Sequence, residues 1–240
     1  MRRSASKTIH CSFPTVLLFL LLTAAVGAQG PANTAELDTV LQKMEENGAR
    51  IKSFSAQLSQ KKYINVLQEF DTEEKGMFYY ARGGDASAMI RKEIQSPNHT
   101  IAIINKDQGL LYHPKIKQAQ KLALGQHKDK AEFMAIGIGQ SRQKLRDNFF
   151  IKFLKHEELD GTRTSVIEMR PKSEKTAAFL TVIILWMDEQ SWLPIQSKLQ
   201  ELNEDYLLTR FTNMKINAPL PDSTFSLRLP ADVEVVSQED

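Results

Sequence analysis

The 240-residue chain carries a single cysteine, Cys11. Cys11 lies inside an apolar leader, so nothing beyond residue 28 can form a disulfide or supply a thiolate metal ligand. Histidine is scarce as well. His99, His113, His127 and His156 stand alone after the leader, with no H-E-x-x-H pair. "KHEEL" places two glutamates after His156, but no second histidine follows four residues on. There is no G-x-S-x-G, because Gly139-Gln140-Ser141 lacks its second glycine. Gly137-Ile138-Gly139 opens like a dinucleotide loop, yet Arg142 stands where the third glycine belongs and no βαβ pattern surrounds it. An excess of one charge is also missing: 31 Lys and Arg face 29 Asp and Glu, for a net +2. That balance argues against nucleic acid as a partner. The expectation is a protein with no catalytic residues, no metal and no cofactor, acting by binding rather than by enzymatic chemistry.

What is present begins with a leader. Arg2, Arg3 and Lys7 precede a charge-free apolar run over residues 13–26, and Val26-Gly27-Ala28 offers the small residues of a cleavage site. The run is about 14 residues, short of the roughly 20 that a membrane span needs. The prediction is an exported protein, cleaved near Ala28/Gln29, whose single domain covers residues 29–240. Losing the three basic residues of the leader takes the net charge from +2 to −1. Without disulfides, an exported domain of this size must be stabilised by its core.

Asn33, with Glu36 three residues on, marks a helix start. Leu37, Val40, Leu41, Met44 and Ile51 then follow helical spacing. From Lys52 the period changes to two. "SFSAQLSQ" alternates Phe54, Ala56 and Leu58 with polar residues, and "GMFYYAR", "AMIRKEI", "HTIAIINK", "LLYHP" and "KIKQAQKLAL" follow between turn signals. The middle of the chain predicts short helices over residues 129–136 and 141–147, hinged at Gly137 and Gly139. Strands then resume, with Asp160-Gly161 as a hairpin turn. Strands with short links and segregated helices indicate an α+β fold with one large antiparallel sheet, which at this width must curl, split or flatten. "AAFLTVIILW" is apolar on both faces. Little helix is available to cover so apolar a sheet, which leaves room for a cavity. Arg91 lies in a strand on the same face as Met89. It reads either as a solvated arginine or as an inward one donating to carbonyls of a covering loop.

The order of segments resembles the outer-membrane lipoprotein carrier family, the LolA type, and the wider lipoprotein-sorting-like group. The resemblance runs over residues 37–236, through "FSAQLSQ", "GMFYYAR" with "MIRKEIQSP", and "INKDQGLLYHPK". Its most specific parts are D-x-x-x-x-L-P in "DEQSWLP" and N-x-x-L-x-x-x-x-F in "NAPLPDSTF". It departs from the family pattern where Lys92, Glu93 and Ile94 replace an aromatic residue, and where Gln108 precedes Gly109.

The resemblance implies an incomplete, half-open antiparallel β-barrel of about ten to eleven strands, with helices forming a lid over an apolar cavity. It implies a monomeric periplasmic carrier of acylated lipoprotein or lipid cargo, served by an inner-membrane donor complex and an outer-membrane acceptor. The alternative is a periplasmic sensor on the same fold that engages a protein partner or an envelope lipid signal. Arg91 takes the place of the family's lid latch. Taking one face of each strand as inward, the expected cavity residues are Phe54, Leu58, Phe78, Tyr80, Met89, Ile101, Ile103 and Tyr112, with Phe133, Met134 and Ile136 from the lid.

Overall fold

The computed structural model of the protein describes residues 31–83, 87–106, 108–124 and 133–238. The predicted leader and its cleavage site lie outside the described residues. Helix α1 (Pro31–Gly48) begins two residues before Asn33, with Pro31 in the first turn, where its missing N–H costs nothing. Leu37, Val40, Leu41 and Met44 form its buried stripe.

One sheet takes in every strand among the described residues. Its members are β1 (Ser53–Ile64), β2 (Glu69–Phe70), β3 (Glu74–Arg82), β4 (Ala88–Ser96), β5 (Thr100–Asn105), β6 (Gln108–His113) and β7 (Gln118–Ala123). After the central helical stretch come β8 (Phe149–Leu159), β9 (Thr162–Pro171), β10 (Val182–Asp188), β11 (Pro194–Gln200), β12 (Tyr206–Ile216) and β13 (Glu234–Gln238). The order is β13-β7-β6-β5-β4-β3-β1-β12-β11-β10-β9-β8, with β2 beside β1. All pairings are antiparallel except β13 with β7. The two end strands do not pair with each other, so this is an incomplete barrel.

Among the described residues, thirteen strands replace the expected ten to eleven. The additions are the two-residue β2 and the parallel β13, both too short or too exposed to show a clear alternation. "AAFLTVIILW" is not one strand. Its first residues belong to a short helix, α3 (Glu174–Ala177), and the turn after it, and β10 starts at Val182. Asp160 and Gly161 both have positive φ, 50° and 77°, and close the β8–β9 hairpin as a two-residue turn. Helix α2 (Arg142–Asn148) is capped by Ser141, whose hydroxyl accepts from the Lys144 N–H at 3.2 Å.

Three apolar clusters hold the sheet. In the first, the stripe of α1 packs with Leu145 of α2 on Phe149, Phe153, Ile167, Met169, Ile183, Leu185 and Met187. The second lies on the same, inward face of the other half: Phe54, Ala56, Leu58, Phe78, Tyr80, Ile90, Ile94, Ile104 and Phe211. The third lies on the outward face, where Leu227, Leu229 and Val233 of the C-terminal segment cover Ile101, Ile103, Tyr112 and Ala119.

Register shifts at Ser55/Gln57, Lys75/Gly76, Phe153/Lys155 and Trp186/Met187 mark bulges that strengthen the coiling of the sheet. Gly76 is required at one of them. A Cβ there would sit 1.8 Å from the Glu93 carbonyl oxygen. Gly76→Ala is therefore expected to destabilise the protein by about 2–4 kcal/mol, read as a fall of roughly 1 M or more in the urea midpoint. An unchanged midpoint would show that β3 and β4 do not approach so closely.

Candidate functional site

The inward face of β1, β3 and β12 brings three aromatic rings together. Phe54 and Phe78 have centroids 5.6 Å apart, Phe78 and Phe211 5.3 Å, and Phe54 and Phe211 6.1 Å. Register explains the grouping: Ala56 pairs with Phe78, Phe54 with Tyr80, and Leu58 with Phe211. The rows continue through Ile90 on β4 to Ile104 on β5. The result is a continuous apolar wall.

Among the described residues, no helix longer than one 3-10 turn covers this wall. Leu124, Ala135, Ile138 and the partly buried Met134 close it, with Leu193 from the turn just before β11. Phe133–Ala135 forms a single 3-10 turn, and Gly137 and Gly139 follow at φ 83° and 69°. The cover is closely seated. A Cβ on Gly137 would lie 2.9 Å from Leu185 Cδ1, and one on Gly48 would lie 3.0 Å from the Gly139 Cα.

Among the described residues, its polar ties run to α1 and β3. Arg142 donates to Glu45 of α1, from Nε at 2.7 Å and from its backbone N–H at 3.2 Å, and Arg146 pairs with Asp38. Such exposed pairs contribute about 0–1 kcal/mol each. Arg82, at the end of β3, donates from Nη2 to the Gly48 carbonyl at 2.8 Å and from Nη1 to that of Ala49 at 3.3 Å. These carbonyls lie at and just past the end of helix α1, where that of Gly48 also accepts from the Ile51 N–H at 3.2 Å, and Arg82 adds a charged tie that fixes the helix end against the cover. His156 lies between Glu189, 2.6 Å from Nδ1, and Glu36 of α1, 3.1 Å from Nε2.

The expected cavity residues divide. Phe54, Leu58, Phe78, Tyr80 and Met134 share the wall cluster. Ile136 packs in the neighbouring α1 cluster. The side chain of Phe133 lies outside the described residues. Met89, Ile101, Ile103 and Tyr112 are on the opposite face, a correction that follows from strand parity. Tyr80 pairs with Ile90 and Ile90 with Ile104, so Ile90, Ile94 and Ile104 point inward and their odd-numbered neighbours outward. Met89 instead lines an outward cleft of about 440 Å³ with Asn105 and Phe225.

Arg91 is corrected for the same reason. It does not reach the helical cover. Its Nη2 and Nε donate to Glu93 at 2.6 and 3.0 Å, and its Nη1 donates to the Thr224 carbonyl of the C-terminal segment at 3.3 Å. Burial acts to raise the Glu93 carboxyl, but hydrogen bonds from Arg91 and His99 outweigh it and hold the group below its usual range. Arg82 was missed, although the two-residue spacing Phe78, Tyr80, Arg82 places it inward. Among the described residues, no group of three or more His, Cys, Asp or Glu side chains is arranged to hold a metal ion.

Two outcomes follow from this geometry. Arg82→Met is expected to free the end of α1, raising amide exchange at residues 48–51 and 137–139 about tenfold or more, because a charge-assisted bond to each carbonyl is lost. Exchange equal to wild type would rule out the tie. A depressed Glu93 carboxyl contributes stability that is present above its unfolded value, 4.5, and lost as pH falls through the folded one. Between pH 7 and pH 3 the melting temperature of Glu93→Gln is thus expected to fall less than that of the wild type. Equal falls would contradict it.

Comparison with known proteins agrees with this geometry. The family described as outer membrane lipoprotein carrier protein LolA matches residues 49–228. Among solved structures, MucB superposes with a TM-score of 0.54 at 12% identity, covering 84% of this chain, which spans 66% of the MucB chain. An uncharacterized conserved protein from Thermus thermophilus gives 0.53 at 11% identity, over 85% of this chain and 99% of its own. Such low identities speak for the fold alone. No curated protein matches in sequence. With a family match over most of its length and an incomplete barrel whose inward wall is apolar, the chain belongs to the LolA outer membrane lipoprotein carrier family.

Proposed function

We propose that the protein is a non-enzymatic periplasmic carrier, working as a monomer, which holds the acyl chains of a lipoprotein or lipid against its inward wall and passes them toward the outer membrane. The observation that carries this reading is the mismatch between wall and cover. One half of the inward face is packed under an 18-residue helix, while among the described residues the wall of Phe54, Phe78 and Phe211 is covered by one 3-10 turn, Ile138, Leu124 and Leu193 rather than by a helix. Residues 133–140 act as the lid, pivoting at Gly137 and Gly139. Lifting them opens the wall to a ligand without unfolding the sheet.

The energetics suit the task. A 16-carbon chain costs roughly 12 kcal/mol to expose to water, at about 0.8 kcal/mol for each CH₂. A carrier must offset most of that while closed, yet release the chain when a receptor competes for it. A lid seated by a few apolar side chains, with only exposed ion pairs on the adjoining α2, gives shielding with a low barrier to opening. Donor and acceptor complexes in the two membranes belong to the same reading.

The test is native mass spectrometry and lipid extraction of protein exported to a bacterial periplasm. Copurified acylated protein or lipid is the expected result. Ile138→Ser, which weakens the cover, is expected to speed release of a fluorescent acyl probe about tenfold. An empty protein that takes up no acyl probe, but copurifies with a protein partner, would reject the carrier in favour of the sensor reading.

A further inference from the structure

The apolar wall carries a charge that a container for neutral acyl chains does not need. Lys92 pairs with Phe78 on β3 and with Ala102 on β5. Its neighbours two residues away, Ile90 and Ile94, are both buried in the wall cluster. Strand alternation therefore sends Lys92 to the inward face, with Phe78, and sends Arg91 and Glu93 outward.

Lys92 makes no hydrogen bond or ion pair among the described residues. Arg82, Arg91, Arg142 and Arg146 all have partners. Burial pushes the Lys92 ammonium down, and only the field of Glu74 opposes this. Glu74 is already engaged, accepting from the side-chain amide of Gln60. Gln60 itself keeps a buried carbonyl oxygen with no donor. On the same face Gln60 pairs with Thr209, and Thr209 with Ser197, each of them buried. The inward face thus has two zones. An aromatic zone gives way to a polar one, and Gly76, between the Phe78 and Glu74 rows, adds no side chain to separate them.

An ammonium on an apolar face is costly unless a counter-charge meets it there. Among the described residues none lies within pairing distance, and Glu74 acts only through its field. We propose that Lys92 binds the anionic headgroup of an amphiphile, a fatty-acid carboxylate or a phospholipid phosphate, whose chain lies along Phe54, Phe78 and Phe211. The inference rests on the carrier reading and narrows its cargo to acidic amphiphiles.

The test titrates the chain without its leader, as wild type, Lys92→Met and Lys92→Arg, with palmitate, a palmitoyl lysophosphatidate and the neutral monopalmitoylglycerol. The wild type is expected to bind an acidic ligand about tenfold or more tightly than the neutral one, the effect of one charge-assisted contact. Lys92→Met should reduce that ligand to the affinity of the neutral one, which itself changes less than about twofold, and Lys92→Arg should keep the preference. Tighter binding of palmitate identifies a fatty acid as the source, and tighter binding of lysophosphatidate a phosphate lipid. Equal affinities in the wild type, or a preference that survives Lys92→Met, would overturn the inference and leave the carrier reading standing. Binding of none of the three would reject both. Lys92→Met is also expected to melt at or above the wild-type temperature, since it removes an uncompensated charge. A clear fall would mean that Glu74 already pairs the lysine, and would equally overturn the proposal.

Discussion

Tyr80 faces Ile90 across the β3–β4 ladder, and Ile90 faces Ile104 across β4–β5. This register decides what the rest of the molecule can be. Side chains alternate along a strand, so fixing one row fixes which half of each strand forms the wall and which meets the C-terminal segment. The bulge at Gly76 sets the register where β3 and β4 approach most closely. Moving β4 by one residue would carry Ile90 and Ile94 out to the C-terminal segment. It would also bring the bonded Arg91–Glu93 pair against Phe78.

With the register set, the inward face has two differently covered halves. Over β8, β9 and β10, the stripe of α1 interlocks with Ile167, Met169, Ile183 and Leu185, all of them fully buried. Removing any of these would leave a cavity at a cost of a few kcal/mol, so that half behaves as an ordinary core. Over β1, β3, β4 and β12, the cover among the described residues is Leu124, Met134, Ala135, Ile138 and Leu193, with two glycines in the same segment. On the carrier reading proposed above, the first half stays fixed and the second opens to cargo.

Much of this was legible in the sequence. The apolar stripe of α1, the Asp160-Gly161 turn and the alternation of most strands follow from local periodicity, which the structure keeps. The inward set on β4, β5 and β6 did not follow, for a physical reason. Met89 and Ile90 are both apolar, as are Ile103 and Ile104, because the outward face of these strands is itself buried under Leu227, Leu229 and Val233. Alternation carries no sign when both faces are covered. Long-range pairing supplies the sign, and with it the outward place of Arg91 and the inward places of Arg82 and Lys92. The parallel pairing of β13 with β7 was equally out of reach, since it joins segments more than a hundred residues apart.

The central claim is that an acyl chain lies on the wall formed by Phe54, Phe78 and Phe211. Paramagnetic broadening of isoleucine methyl signals by a spin-labelled stearate tests it most directly, because isoleucines mark both faces of the same strands. Broadening of Ile90, Ile94, Ile104 and Ile138, with Ile101 and Ile103 unaffected, is the result predicted. Broadening confined to Ile101 and Ile103, or to no isoleucine, would contradict it.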